Sequence, residues 1–181
     1  MHERIIEALL ESREPAIRWK VRSRVLGEPA DALRDEVRRA PLVQRLLKPL
    51  KGPKRPGAYA KWQGAHWALA ALADLGYPPG DEALYPLREQ VLETWLDESY
   101  FRDVEVATKA AAYRHAGVPV MRGRHRAHAS QPGNALRSLV VLGLADARCD
   151  ELAALLLRWQ WPDGGGLPRP RCSWSDGSRT A

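Results

Sequence analysis

The arginine- and histidine-rich segment at residues 121–128 contains the residue types best suited to bind a metal or an anion. His125 and His128, close to His115 in sequence, would place two rings on one face if the segment were helical, as zinc ligands can do. The segment contains no carboxylate, and its arginines would repel a divalent cation. We therefore predict a solvated basic loop between helices and no metal site.

Arg122, Arg124 and Arg126 alternate with glycine and histidine in the same segment. Guanidinium groups match the geometry of phosphate oxygens. The segment also precedes a predicted helix start at residues 132–134, whose free N–H groups favour anions. The three arginines are thus a candidate site for phosphate or diphosphate. The alternative is a basic loop that is simply solvated.

Other residue types associated with catalysis lack their usual partners. Residues 173–178 contain serines and an aspartate, but no histidine follows and no strand pattern precedes them. The Asp-Gly-Gly-Gly sequence from Asp163 lacks the Lys-Ser/Thr that makes a phosphate-binding loop specific. Cys149 and Cys172 give neither a disulfide framework nor a zinc-ligand spacing. These patterns predict no catalytic residue and no cofactor.

The elements that would position these residues include two similar helix pairs. In the first pair, a helix ends at Leu75-Gly76 and Asp81 caps the next helix; in the second, Leu142-Gly143 and Asp146 have these roles. The apolar faces contain Trp62, Ala65, Leu69, Leu72, Leu84, Leu87, Val91 and Trp95 in the first pair, and Leu136, Leu139, Leu152, Leu155, Leu156 and Trp159 in the second. The two copies align at Leu69/Leu136, Leu72/Leu139 and Val91-Leu92-Trp95/Leu155-Leu156-Trp159. Such pairs cannot bury their apolar faces alone and must stack in a solenoid or a closed ring.

The remaining segments predict more helices. Helical spacing of apolar residues begins near residues 3, 12, 29 and 41, and a further helix is predicted at about residues 103–115. Residues 48–57 form the clearest loop, since they contain three prolines, two glycines, several cations and no acid. This loop could bind an anion or serve as a solvated connector. No segment predicts a strand.

Several of these segments resemble a known group of proteins. Residues 159–165, Trp-Gln-Trp-Pro-Asp-Gly-Gly, are similar to the repeat ending of the α/α-toroid proteins, which include squalene–hopene cyclases and protein prenyltransferase β subunits. Residues 59–69 and 131–136 resemble repeat openings in bacterial squalene-cyclase-like proteins, and residues 14–19 resemble the start of those proteins. The resemblance covers most of residues 12–166 and implies an α/α-toroid fold.

The resemblance also implies a role for aromatic residues, because toroid cyclases use aromatic linings to stabilise carbocations. Trp62, His66 and Trp67 lie within two turns of one predicted helix, and Tyr113 lies on another. These four residues are therefore candidates for contact with an apolar or isoprenoid ligand. The alternative is that Trp62 packs between helices and Trp67 lies at a helix–helix seam, since aromatic residues at helical spacing are generally core.

The chain departs from the family pattern at its C-terminal end. Gly166 stands where the resemblance places a tryptophan, and residues 167–181 have no helical period. We therefore predict one α/α-repeat domain at residues 1–166, followed by an unstructured tail. The repeats stop short of the six or so helix pairs of a full toroid, so we expect a truncated or frame-shifted relative.

The chain departs from the family pattern in its chemistry as well. Hopene-type cyclases protonate an alkene with an aspartate from an Asp-x-Asp-Asp cluster. Beside its charged neighbours, one carboxyl group of the cluster can stay protonated and act as the acid. The nearest match is Asp-Val-Glu at residues 103–105, which we expect to be the charged start of a helix. The zinc-binding set of prenyltransferases has no match either, so no catalytic residue is carried over.

The composition limits the possible partners without identifying one. The 181-residue chain has a formal net charge of +6 and a sequence pI of about 9.6, but its cations alternate with acids, as at residues 34–38. Net charge alone specifies partners poorly, and nucleic acid is an unfavoured partner. No apolar run approaches membrane-spanning length, and no secretory leader is visible, so we expect a cytoplasmic protein.

These observations predict an all-α fold of stacked antiparallel helix pairs that forms part of an α/α toroid or solenoid. The first functional prediction is a terpenoid-cyclase-like repeat protein without its own catalytic acid, which holds an apolar or isoprenoid ligand or is an inactive fragment. The second is a HEAT-like scaffold that binds a protein partner or associates with itself. The third is a basic solenoid that binds nucleic acid. The sequence leaves open whether the protein is an enzyme.

Overall fold

The structure is a computed structural model that describes residues 2–52, 54–112, 114 and 116–161. The N-terminal part contains four helices in succession: α1 (His2–Leu10), α2 (Pro15–Lys20), α3 (Ala32–Arg39) and α4 (Pro41–Leu47). A π-helical turn, Val21–Val25, extends α2, and a 3-10 turn, Lys48–Leu50, extends α4. Proline at the first position of α2 and of α4 fixes the backbone where its missing N–H costs nothing.

The central and C-terminal parts contain the longer helices. The elements follow in this order: α5 (Ala65–Leu75), a 3-10 turn (Glu82–Leu84), α6 (Tyr85–Trp95), α7 (Glu98–Phe101), β1 (Asp103–Glu105), α8 (Lys109–Ala112), β2 (Val118–Met121), β3 (Arg124–His125), α9 (Ser130–Val141) and α10 (Ala147–Trp159). The chain is thus mostly helical, as predicted, with one small sheet.

The predicted helix ends of both pairs are confirmed. Gly76 ends α5 in the left-handed conformation with φ of 81°, and Gly143 follows α9 with φ of 63°. The carboxylate of Asp81 accepts the Ala83 N–H at 3.0 Å ahead of α6, and that of Asp146 accepts the Arg148 N–H at 3.0 Å at the start of α10. Each pair therefore turns at a left-handed glycine and starts its second helix at a capping aspartate.

The core lies where these helices meet. Helix α5 packs against α9 and α6, α10 packs against α9, and α2 and α4 also contact α5. The fully buried leucines and valines of this core lie on α3, α4, α5, α6, α9 and α10 and in the turns beside them: Val37, Val43, Leu69, Leu72, Leu84, Val91, Leu92, Leu139, Leu142, Leu144 and Leu152. Of the predicted apolar positions of the first pair, all are buried except Trp62. In the second pair, Leu136, Leu155 and Leu156 are only partly buried.

The helix predicted at residues 103–115 is confirmed only at α8, Lys109–Ala112, because residues 103–105 form a strand. The prediction that the chain has no strand was wrong. Strand β1 pairs in parallel with β2, with Val104 opposite Pro119, and β2 pairs antiparallel with β3, with Val120 opposite His125. Alternating β-branched residues favour an extended backbone, and Gly123, with φ of 69°, supplies the turn between β2 and β3. The basic segment at residues 122–126 is therefore the end of a hairpin and not an inter-helix loop.

The prediction that Trp62 lies on the apolar face of a helix was also wrong. Helix α5 begins only at Ala65, after a turn that brings Gly64 against the chain at Ala58. A Cβ atom on Gly64 would lie 2.2 Å from the carbonyl oxygen of Ala58, so only glycine fits here. Trp62 precedes this contact and lies on the protein surface.

Two predictions fall outside the described residues: the repeat ending after Trp161 and the tail at residues 167–181. The extent of the predicted domain, residues 1–166, stays a prediction. Among the helices that the structure describes, none has the length and apolar character required to cross a membrane.

Candidate ligand-binding site

An aromatic cluster surrounds the start of α5. The ring of Tyr59 lies 5.0 Å from that of His66, 5.3 Å from that of Trp67 and 5.4 Å from that of Trp95, measured between centroids. Trp62 stacks on Trp67 with a centroid distance of 4.5 Å and an interplanar angle of 43°. Rings at these distances stabilise one another beyond the burial of their area. The structure therefore brings together three of the four predicted ligand residues, Trp62, His66 and Trp67.

Tyr113, the fourth predicted ligand residue, lies outside the described residues. Tyr59 and Trp95 are two members of the cluster that the sequence did not identify as site residues. Trp95 was assigned only to the apolar face of α6, and Tyr59 precedes α5 in an irregular segment. Both reach the cluster through tertiary packing, which helical periodicity alone does not predict.

His66 is the polar centre of the cluster and is only 1% exposed. The indole Nε1–H of Trp95 lies 3.4 Å from Nδ1 of His66, and the side-chain amide of Asn134 lies 3.5 Å from Nε2. Burial lowers the pKa of His66, because the charged imidazolium would lose its hydration. His66 is therefore a neutral ring, surrounded by aromatic groups, whose two nitrogens face groups from two other helices.

Trp62 forms the outer face of the cluster. Its side chain is 67% exposed although it stacks on Trp67, and its backbone has φ of 65°. A bulky residue in this left-handed region is a conformational outlier and costs free energy. The nitrogen of Lys61 lies 5.9 Å from the Trp62 ring centroid, so a cation flanks the exposed ring. The molecule thus holds a large apolar ring in solvent at a conformational cost.

Trp67 occupies an intermediate position between surface and core. Its ring is half-buried between Trp62 and Tyr59. Its indole N–H is buried and has no hydrogen-bond partner among the described residues. The prediction that Trp67 packs at a helix seam and the prediction that it lines a ligand site are both compatible with this position.

The three arginines of the candidate anion site lie on the hairpin of β2 and β3. Arg122 occupies the turn with φ of 54°, and the guanidinium of Arg124 lies 5.0 Å from the centroid of the Trp161 ring. The Nε atom of Arg126 is buried without a hydrogen-bond partner in the described part of the chain. The indole N–H of Trp161 donates to the carbonyl oxygen of His125 at 2.7 Å, which fixes its ring beside the hairpin. Arg124 is thus engaged with an aromatic face, and anion binding here stays a prediction.

Asp103 has a different role from the one expected. It lies in β1 and not at a helix start, and its two carboxylate oxygens meet Nε2 of His125 at 3.2 Å and the guanidinium of Arg158 at 2.9 Å. His125 lies in β3, so His125 and His128 do not share a helical face. Within the ranges that the structure describes, no group of three or more histidine, cysteine, aspartate or glutamate side chains could hold a metal ion.

A network of four charged side chains connects the two helix pairs. Arg148 of α10 donates to both carboxylate oxygens of Glu89 of α6, at 2.7 and 3.0 Å, and to Asp146 at 2.7 Å. Arg88 donates to Glu89 at 2.7 Å on the same side. Hydrogen bonds from Arg148 and Arg88 lower the pKa of Glu89 to about 2. This network has a structural role, because its cations and carboxylates satisfy one another.

No family model matches the chain, and no curated protein or solved structure matches it significantly. We therefore infer function from the geometry of the residues themselves.

Proposed function

We propose that this chain is an α/α-toroid-type repeat protein that binds an apolar, isoprenoid-type ligand on an aromatic face formed by Trp62 and Trp67. One observation carries the proposal: Trp62 is 67% exposed, adopts a strained backbone conformation and stacks on a second tryptophan. A strained residue with a large exposed apolar ring is more readily explained by contact with a ligand than by packing within the chain.

The contacts between the helix pairs support the repeat arrangement. Helix α5 packs on α9, and the turn after α5 is joined to the end of α9 because the Gly80 N–H donates to the carbonyl oxygen of Leu142 at 2.8 Å. The Arg148–Glu89 pair joins α10 to α6 in the same way. The helices that the repeat proposal treats as equivalent therefore lie side by side, which is the arrangement expected of stacked repeats. A toroid extends this stacking around a ring.

The chemistry of the cluster supports binding and not proton transfer. No carboxylate is hydrogen-bonded to the aromatic cluster in the described part of the chain. His66 is neutral, because burial lowers its pKa, and its ring nitrogens face Trp95 and Asn134. Protonation of an alkene requires a much stronger acid than any group at this site. We therefore propose that the protein holds its ligand without transforming it.

Titration of the protein with farnesol tests the proposal. Quenching of tryptophan fluorescence and isothermal calorimetry should both give saturable binding, and Trp62→Ala should weaken it by about tenfold, because one stacked aromatic contact is lost. Leu157→Ala is the matched control, since it removes an apolar side chain that is 71% exposed on α10. The proposal fails if the wild-type protein does not bind farnesol, or if both substitutions weaken binding equally.

A second function, binding of a protein partner or self-association, has its own supporting observation. Val140 of α9 is 58% exposed and Leu157 of α10 is 71% exposed, so the second helix pair keeps apolar side chains in solvent. Stacked repeats bury such residues against a neighbour. If this edge binds a protein, Leu157→Ala should reduce the association measured by analytical ultracentrifugation, whereas Trp62→Ala should leave it unchanged.

Binding of nucleic acid is less well supported. Many arginines are already paired with carboxylates, as in the pairs of Arg22 with Glu28 and Arg137 with Asp74. Paired cations contribute little to the release of counterions on which nucleic-acid affinity depends. Retention on heparin should accordingly be weak at physiological salt.

A further inference from the structure

A cavity away from the aromatic cluster separates the end of α4 from the start of α6. Its volume is about 470 Å³, which lies in the range of small-molecule sites in proteins. The floor consists of four buried leucines from both elements and from the adjoining 3-10 turns: Leu47, Leu50, Leu84 and Leu87. This apolar floor is suited to an alkyl or similarly apolar body and offers it no polar contact.

The rim of the same cavity is cationic. Lys51 and Arg55 come from the basic loop at residues 48–57, and Arg38 comes from α3. Among the described residues, Arg55 donates only to backbone carbonyl oxygens, those of Gly52 and Pro86, both at 3.4 Å. In the part of the chain that the structure describes, neither Lys51 nor Arg55 forms an ion pair with a carboxylate. Their charges are therefore available to a ligand.

One carboxylate lies in the cavity wall, and its partners already satisfy it. Asp81 accepts a hydrogen bond from the hydroxyl of Tyr77 at 2.6 Å and lies 3.3 Å from Nε of Arg38. Burial alone would raise the pKa of Asp81, but the hydrogen bonds from Tyr77 and from the Ala83 N–H, together with Arg38, lower it. Asp81 is thus ionised and offsets the charge of Arg38. Lys51 and Arg55 leave the cavity with an excess of positive charge at its rim.

We infer that this cavity binds an amphiphilic anion, with an alkyl body on the leucine floor and a carboxylate or phosphate head at Lys51 and Arg55. The two parts of the cavity select for the two parts of such a ligand, since a free inorganic anion leaves the floor empty and a neutral hydrocarbon leaves the cations without a partner. The guanidinium of Arg55 can donate two parallel hydrogen bonds to the oxygens of a head group, and Lys51 adds a point charge. This inference does not depend on the aromatic face of Trp62 and Trp67.

Calorimetric titration of the full chain with single-chain probes below their micelle concentrations tests the inference. Dodecanoate and dodecyl phosphate should each bind at one site, and comparison of the two identifies the preferred head group. Dodecanol and inorganic phosphate should each bind at least about tenfold more weakly than the better anion, because each lacks one half of the recognition. Equal binding of dodecanol and both anions would overturn the inference, as would the absence of binding by both anions.

Two variants test the site itself. Lys51→Ala combined with Arg55→Ala should weaken binding of the better anion by about tenfold, because two favourable charge contacts are lost. Arg45→Ala combined with Lys48→Ala is the matched control: it removes the same charge from exposed positions, in α4 and in the 3-10 turn that follows it, that do not line the cavity. If the two double variants weakened anion binding equally, the anion would be held by general charge attraction, and the proposed site would be wrong.

A third variant tests the cavity without changing its charge. Ala83 is exposed and lines the cavity, so Ala83→Trp places a bulky ring at the mouth. It should abolish anion binding while the thermal unfolding midpoint stays close to that of the wild type. Trp62→Ala should leave anion binding unchanged, which separates this site from the proposed isoprenoid face. Unchanged anion binding in Ala83→Trp would contradict the location.

Discussion

The indole Nε1 of Trp95 lies 3.4 Å from Nδ1 of the buried His66. An indole N–H can only donate, so Nδ1 of the neutral His66 accepts and the ring proton resides on Nε2. Nε2 faces the side-chain amide nitrogen of Asn134 at 3.5 Å, so the amide accepts the ring proton only if it turns its oxygen towards the ring. The Trp95 bond joins α5 to α6, and it forms only when His66 is neutral.

The neutrality of His66 predicts a pH-dependent stability. Burial lowers its pKa below 6.5, so below pH 6.5 the unfolded chain binds a proton at this residue that the folded chain does not. The free energy of unfolding should therefore fall as the pH decreases from 7.5 to 5.5, by at most about 1.4 kcal/mol per pH unit. Urea denaturation at several pH values measures this slope.

Substitution of His66 isolates this contribution. His66→Gln should flatten the dependence between pH 5.5 and 7.5, whereas His128→Gln, at an exposed position, should preserve it. A wild-type slope that survives unchanged in His66→Gln would show that another group is responsible.

The close approach of Gly76 to Trp19 predicts a large effect of a single methyl group. Gly76 has φ of 81°, and a Cβ atom there would lie 2.2 Å from Cε3 of the buried Trp19 ring. Gly76→Ala therefore combines left-handed strain with a core overlap and should lower the free energy of unfolding by about 3 kcal/mol or more.

Gly80 provides the matched control for Gly76. It has φ of 75°, but a Cβ atom there would meet no atom within 4 Å. Gly80→Ala should cost only the strain, about 1 kcal/mol. Chemical denaturation of both variants compares the two costs, and equal values would show that Trp19 does not approach Gly76 as described.

The ion pairs of Glu89 predict a salt- and pH-sensitive contribution to stability. Its pKa is lowered to about 2 by Arg148 and Arg88, so the contribution is present above about pH 4.5 and is lost as the pH falls towards 2. Because the Glu89 side chain is more than a third exposed, solvent screening limits the contribution to about 1 kcal/mol. Glu89→Gln should lose this amount at pH 7 and low salt, and less in 1 M salt.

Glu93 is the matched control, since it lies on α6, is exposed and forms no ion pair among the described residues. Glu93→Gln should change the free energy of unfolding by less than about 0.5 kcal/mol. Thermal and urea unfolding of both variants at low and high salt measure these changes. The same loss of unfolding free energy in Glu89→Gln and Glu93→Gln would contradict a specific role for the Glu89 network.

The sequence predicted features that depend on neighbouring residues. The stops at Gly76 and Gly143 and the caps at Asp81 and Asp146 depend on local backbone preferences, and the structure confirms all four. Strand β2 was missed because it is only four residues long and pairs with β1, about 15 residues earlier. Such short, non-local pairing leaves little periodic signal.

In the candidate site, too, the sequence predicted the residues that are close along the chain but not those that packing brings together. Trp62, His66 and Trp67 are close in sequence and were predicted together. The partners of His66 come from positions 29 and 68 residues away, at Trp95 and Asn134, and only packing brings them to the ring. The exposure of Trp62 was not predicted, because helical spacing placed this residue on the buried face of a helix. In the structure that helix begins three residues later, at Ala65, and Trp62 is exposed.

The backbone strain at Trp62 predicts an inverted glycine effect. At ordinary positions glycine is less stable than alanine by about 0.5–1 kcal/mol, because it loses more conformational freedom on folding. At position 62, where φ is 65°, an alanine would be destabilised by about 1–2 kcal/mol by the left-handed backbone conformation, whereas a glycine would not. Trp62→Gly should therefore be at least as stable as Trp62→Ala, although both lack the aromatic ring.

Gln63 supplies the comparison, since it is exposed, adjacent to Trp62 and does not have a positive φ. Gln63→Gly should have a lower free energy of unfolding than Gln63→Ala. The free energy of the glycine variant minus that of the alanine variant should therefore be about 1–2 kcal/mol more positive at position 62 than at position 63. Urea denaturation of the four variants gives both differences. The same difference at both positions would show that the backbone at Trp62 is not strained. Trp62 would then be an exposed aromatic residue that lowers stability no more than its neighbour does.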